Sequence, residues 1–132
     1  MLAYGDGSDD IVLTQKDIRE VQLAKGAIRA GIKLLLDEFK LGEGDLENIY
    51  IAGAFGNHIR TESAIGIGLI PEISEEKIKF IGNAAGIGAS MALVSKEARE
   101  EAGKLAKEVR HLELAANPSF QETYLAEMSF NR

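Results

Sequence analysis

The chain has 132 residues, 45% of them apolar, which is one domain's worth of polypeptide with room for a single sizeable core. Its formal charge of −6, from 15 basic and 21 acidic side chains, argues against nucleic acid or an anionic membrane as partner, because both call for a basic face. The absence of cysteine excludes disulfides, thiolate catalysis and any cysteine-bound zinc or iron–sulfur cluster within these residues.

No stretch approaches the ~18 consecutive apolar residues of a membrane span, and the acidic start "MLAYGDGSDD" is no signal peptide, so a soluble cytoplasmic protein is expected. Residues 1–9 read as a polar tether and residues 10–132 as the folded unit. "DIVLT" at 10–14 reads as a short strand, with Thr14 as the N-cap of a helix and Asp17 three residues on to complete the cap. Ile18, Val21, Ile28, Ile32, Leu35 and Phe39 then recur at helical spacing, which predicts a long amphipathic helix ending at Gly42 and Gly44. "NIYIAG" is a predicted strand, "RTESAIGIGLIP" a short helix stopped by Pro71, and "KIKFIG" another strand. "AAGIGASMALVSKEAREEAGKLAKEV" predicts a second long helix, buried in its apolar first half and exposed after Ser95. "RHLELA" alternates like a strand, and "NPSFQETYLAEMSF" predicts a last helix with Phe120, Tyr124 and Met128 on one face. Strand and helix alternate throughout, the pattern of an α/β domain with helices packed on a small, mostly parallel sheet.

Two glycine-rich stretches fall at the carboxyl ends of predicted strands, where open α/β sheets place their ligands. In "IYIAGAFGNHI", Gly53 and Gly56 remove side chains from a turn, so that a flat ring or a phosphate could approach the main chain, with a helix following Asn57. The competing reading gives both glycines to the turn and to close packing of helix on sheet. In "GNAAGIGAS", Gly82, Gly86 and Gly88 are spaced G-x-x-x-G-x-G, which is not the dinucleotide fingerprint G-x-G-x-x-G. Small residues there point instead to a close helix crossing at a domain boundary. His58 and His111 lack ligand spacing, so no metal site is expected; Asp37, Glu38, Glu43 and Asp45 read as a solvated helix end, and Ser63 and Ser90 have no triad partners.

The stretches "TQKDIREVQLAKGAIRAGIKLL", "IYIAGAFGNHIR", "AIGIGLIP", "FIGNAAGIGASMAL" and "RHLELAANPSFQETYLAEMSF" together resemble the C-terminal ATPase portion of the reductive activators of corrinoid proteins, over about residues 10–130. These belong to the superfamily of acetate and sugar kinases, heat-shock chaperones and actin. The resemblance implies a ribonuclease-H-like, actin-like ATPase subdomain. It also implies ATP with Mg²⁺, bound mainly by the complete domain, and an iron–sulfur cluster located elsewhere in the full-length protein. Such activators use ATP to drive an electron onto cobalt, returning a corrinoid protein from Co(II) to Co(I). Implied partners are the rest of the ATPase domain or a companion subunit, and a corrinoid protein, with a homodimer compatible.

Of the superfamily's five motifs, this chain matches the last two. "IAGAFGN" stands where the adenosine motif belongs, with Gly53-Ala54 in place of the usual Gly-Gly pair, so the resemblance implies nucleotide contact by Gly53, Ala54, Phe55, Gly56 and Asn57. "GNAAGIGASMA" stands at the second connecting motif, implying interdomain contact by Gly82, Asn83, Gly86 and Gly88. By analogy with the chaperone ATPases, Gln22, Lys25, Gly26 and Arg29 on the first helix would face adenine and ribose, on the side away from Ile28, Ile32 and Leu35. A solvated basic face with a packing notch at Gly26 is the plainer alternative. Without the phosphate motifs no catalytic residue is expected here. Two other classes compete: a nucleotide-binding or regulatory module without turnover, and a fragment of a kinase-like phosphotransferase.

Overall fold

The computed structural model describes residues 12–130. The expected tether at 1–9, and Asp10 and Ile11 of the expected first strand, lie outside that range, and residues 12–14 are not in a strand.

Helix α1 spans Gln15–Glu38 and starts where the sequence says. Thr14 Oγ1 accepts from the Asp17 N–H at 3.2 Å while the Asp17 carboxylate accepts from the Thr14 N–H at 2.8 Å, so two of the first turn's free donors are satisfied reciprocally. Its end comes earlier than Gly42. Lys40 takes the left-handed conformation at φ 56°, its N–H donating to the Asp37 carbonyl at 3.0 Å and the Leu41 N–H to Leu36 at 2.9 Å. That is a Schellman stop made without glycine. The buried residues of α1 are Lys25, Gly26, Ala30, Gly31 and Leu34, whereas Val21, Ile28, Leu35 and Phe39 are exposed. The apolar stripe therefore faces outward. The last helix, α6 (Phe120–Glu127), takes the opposite face, where glycine and alanine let two helices approach closely.

Strands β1 (Ile49–Ala52) and β2 (Ile78–Gly82) form a parallel pair. Their register runs Ile49 to Ile78 and Ile51 to Phe80, then skips so that Ala52 meets Gly82, leaving Ile81 as an extra residue in β2. The parallel crossover between them contains α2 (Ala54–His58), α3 (Thr61–Gly66) and a turn through Pro71, which is fully buried. The core sits there: Ala64, Leu69, Ile70 and Ile78 are buried, with Ile49, Ile51, Ile59, Ile65 and Ile73 packed around them.

The second long helix is two. Helix α4 (Ala84–Val94) and helix α5 (Lys96–Glu108) meet at Ser95, whose extended backbone (φ −123°, ψ 126°) breaks the ladder and whose hydroxyl accepts from the Ala98 N–H at 3.1 Å. Arg99 turns back to donate to the last carbonyls of α4, Nε to Ala92 at 2.9 Å and Nη2 to Leu93 at 3.2 Å. Nor is the first half buried, since Ile87, Met91, Leu93 and Val94 are all more than half exposed. "RHLELA" forms no strand; residues 110–113 are irregular and its last two, Leu114 and Ala115, enter a single 3₁₀ turn at Leu114–Ala116. Alternation alone makes no strand without a partner for its backbone groups, and Arg110 lies instead over the Phe39 ring at 5.9 Å.

Candidate functional site

The Gly53 corner is open backbone at the carboxyl end of β1. Gly53 has φ 77° and ψ −169°, a region closed to residues with a side chain, and a Cβ there would meet nothing within 4 Å. Its N–H donates to the Gly82 carbonyl at 2.7 Å, which stitches the two glycine corners together. Helix α2 begins directly at Ala54 rather than after Asn57, and Ala54 is exposed. Gly56 has a different role: a Cβ would lie 2.9 Å from Phe80 Cδ1 and 3.2 Å from Ile51 Cγ2, so its bareness seats α2 on the two strands. Phe55 and Asn57 share that short helix, and their backbone follows the same turn.

At the second corner, Gly82 has φ 57° and Asn83 caps α4, its Oδ1 accepting from the Gly86 N–H at 3.0 Å. A Cβ on Gly86 would strike the Asn83 side chain, while Gly88 faces open space with nothing within 4 Å. An open groove of about 510 Å³ runs beside Asn83, Gly86, Ile87, Ser90 and Met91.

The basic face of α1 is occupied by its own chain. Lys25, 5% exposed, donates from Nζ to the carbonyls of Glu127 at 2.6 Å and Ser129 at 2.7 Å, so an ammonium group closes the carboxyl end of α6. Gly26 makes this possible: a Cβ would lie 2.8 Å from Met128 Cγ and 3.1 Å from the Tyr124 carbonyl oxygen. The space above Gly26 therefore holds α6. Arg29 donates from Nη2 to Glu43 at 2.5 Å and from Nε to Glu127 at 3.4 Å, and Lys33 donates to the other Glu127 oxygen. Among the described residues nothing accepts from Arg29 Nη1, which is buried. Gln22, one turn earlier, is half-buried. Burial pushes the Lys25 ammonium below the ordinary lysine value, with Glu127 opposing and Arg29 and Lys33 adding to the effect. Burial disfavours the Glu127 carboxylate too, but the hydrogen bond and charge of Lys33 and the charge of Arg29 outweigh it and hold the carboxyl below the ordinary glutamate value.

These groups border a cavity of about 310 Å³ whose charged lining is Lys25, Arg29, Glu43, Glu72 and Glu127, with Ile65, Gly68 and Ile70 completing it. Lys25 and Arg29 share one face of α1, but that face meets α6 and Glu43, and the sequence reading missed Glu43 and Glu127 as their partners. Glu43, read as a solvated loop residue, is an ion-pair partner of Arg29, and Glu127 stands 98 residues away in the chain, where no spacing rule reaches. No group of three or more histidine or acidic side chains among the described residues is placed to hold a metal ion.

Its likeness to known proteins, and not the glycine corners alone, gives this α/β domain its class, that of the actin-like ATPases. The chain belongs to the family described as the C-terminal domain of RACo, the ASKHA domain, whose model matches residues 2–132. It is similar to the corrinoid activation enzyme RamQ of Eubacterium limosum, 46% identical over 121 residues that cover 92% of this chain and 20% of that protein. It is likewise similar to a [Co(II) methylated amine-specific corrinoid protein] reductase of Methanosarcina barkeri, 32% identical over 122 residues, 91% of this chain and 22% of that one. A solved structure, of a reductive activator for a corrinoid, iron–sulfur protein, matches with a TM-score of 0.83 and 34% identity over 96% of this chain and 21% of its own. The chain spans about a fifth of the length of each of these proteins. Among the described residues no helix is long and apolar enough to cross a membrane.

Proposed function

We propose that this chain is the adenosine-side part of an ATP-dependent reductive activator, which passes one electron from an iron–sulfur domain on other residues to the cobalt of a corrinoid protein, taking Co(II) to Co(I). The observation that carries the reading is the Gly53 corner: a positive-φ glycine at the carboxyl end of a parallel strand, with nothing within 4 Å of where a side chain would begin. A flat purine can approach main chain there as it cannot approach a surface of side chains. Gly53 and Ala54 would touch the base, with Phe55, Gly56 and Asn57 shaping the turn, while Gln22 would supply a polar group from α1, Lys25 and Arg29 being held instead by Glu127, Ser129 and Glu43. Gly26 enters as the seat of α6 rather than as a shelf for the ring.

The triphosphate, its Mg²⁺ and the cluster fall to the remaining four fifths of such a protein. The exposed apolar faces support this division, since Ile87, Met91 and Val94 on α4 and Val21, Ile28 and Leu35 on α1 form surfaces of the kind that a neighbouring domain covers. In this reading Gly82, Asn83, Gly86 and Gly88 lie at that interdomain contact, and the protein works in the cytoplasm.

The test is calorimetric titration of the full-length protein with ATP and Mg²⁺. Ala54→Leu adds bulk at an exposed position beside the corner and should weaken ATP binding about tenfold or more while leaving the melting temperature within a few degrees. Unchanged affinity in that variant would return Gly53 to a packing role. Robust ATP turnover by these 132 residues alone would overturn the divided site.

A further inference from the structure

We infer that Gly82 is a positioning residue for the Gly53 corner: the end of β2, and not β1 alone, fixes the main chain against which a purine would lie. The inference rests on the proposed placing of the nucleotide at Gly53. The bond from the Gly53 N–H to the Gly82 carbonyl, at 2.7 Å, is the last rung between the strands and lies one residue beyond the end of β1. It comes from Gly82 because of the skipped register. A regular ladder would set Ile81 opposite Ala52, whereas the extra residue in β2 brings Gly82 there. At φ 57° Gly82 holds a conformation that is costly to residues with a side chain, and the next residue, Asn83, caps α4. A second tie runs beneath the first. Gly56 of α2 lies against Phe80 of β2 as well as Ile51 of β1, so the helix that leaves the corner is also seated on the second strand.

The consequence for recognition is chemical. With its N–H engaged by Gly82, Gly53 offers a base a flat, side-chain-free surface rather than a hydrogen-bond donor. Such a surface binds a ring only while it keeps its shape, and apparent affinity scales with the fraction of molecules that hold the competent shape. Gly82 touches no ligand in this scheme and acts through Gly53.

Substitution cannot remove a main-chain carbonyl, but it can turn one by changing the conformation of its residue. A Cβ on Gly82 would meet nothing within 4 Å, so a side chain there acts through φ and not through crowding within the chain. Asparagine tolerates a positive φ comparatively well, alanine less, and valine, branched at Cβ, hardly at all. Calorimetric dissociation constants for ATP in the full-length protein should rise about threefold in Gly82→Asn, about fivefold in Gly82→Ala and more than about tenfold in Gly82→Val. That order separates conformation from bulk, because asparagine is larger than alanine. Losses that grow with size, alanine being mildest, would leave Gly82 as interdomain surface only and overturn the positioning role. A lowered melting temperature with wild-type affinity in all three variants would overturn it as well. Hydrogen exchange of the Gly53 amide in the nucleotide-free protein reads the bond itself: it should quicken in Gly82→Val, and unchanged protection there defeats the inference. If Gly82→Val does not fold, the other two variants decide, tighter binding by asparagine than by alanine supporting the inference and equal or reversed affinities overturning it. If Ala54→Leu weakens ATP while the Gly82 variants bind it as the wild type does, the positioning role falls and the nucleotide reading stands. If Ala54→Leu and the Gly82 variants all bind as the wild type does, both fall.

Discussion

Lys25 and Gly26 show how a residue's meaning depends on what comes to meet it. From the sequence they were a basic group beside a bare step on a polar helix face, equally suited to a ligand or to solvent. Folded, Lys25 is among the most buried residues of α1 and closes the end of α6, and Gly26 is where Met128 and the Tyr124 carbonyl come against α1. Gly26→Ala separates the two effects. Alanine is favoured over glycine inside a helix by about 1 kcal/mol, but its methyl group must displace the Tyr124 carbonyl and Met128. The crowding should win, leaving the variant destabilised by about 1–3 kcal/mol in urea denaturation, whereas a stabilised variant would mean that the seam is looser than described. The Gly53 corner was legible from the sequence because its signal is local: a strand of β-branched residues followed at once by glycine. Glu127 was not, because nothing within its own helix marks it as a partner of Arg29.

At the scale of elements, starts were read better than stops and breaks. Thr14 and Asp17 form the expected cap because the capping box is a property of four consecutive residues. The end of α1 depends on Lys40 accepting a positive φ in order to bring the Leu41 N–H to Leu36, a conformation that lysine composition does not announce. Lys40→Gly should therefore stabilise the domain by about 0.5–1 kcal/mol, measured as a raised denaturation midpoint at unchanged slope. A destabilised variant would show that the Lys40 side chain contributes more than its backbone costs. The elbow at Ser95 has a similar origin, since a serine inside a strongly helical run was read through, yet Ser95 and Arg99 together satisfy the backbone groups freed on both sides of the break. "RHLELA" failed as a strand for the opposite reason. Its period was right, but the two described strands pair with each other and none lies beside it.

For the molecule as a whole, the α1–α6 seam makes stability depend on acidity. The Glu127 carboxyl is held below its ordinary value in the folded state, so the unfolded chain binds its proton more readily. The ion pairs with Arg29 and Lys33 contribute fully above the ordinary glutamate range and are lost as pH falls through the lowered folded value. Denaturation midpoints should drop on acidification through that window, and Glu127→Gln should flatten this part of the profile; an unchanged profile would take Glu127 out of the acid transition. The sequence by itself determined the α/β class, the first helix cap, the two glycine corners and the family, because each is written in residues close together or in long matching stretches. Which side of α1 is buried, where the second long helix breaks and which carboxylates meet Arg29 were decided only in three dimensions. The reason is physical: an amphipathic pattern says that a face is apolar, but close approach across Gly26, Ala30 and Gly31 selected the face that α6 covers, and left the apolar stripe outward.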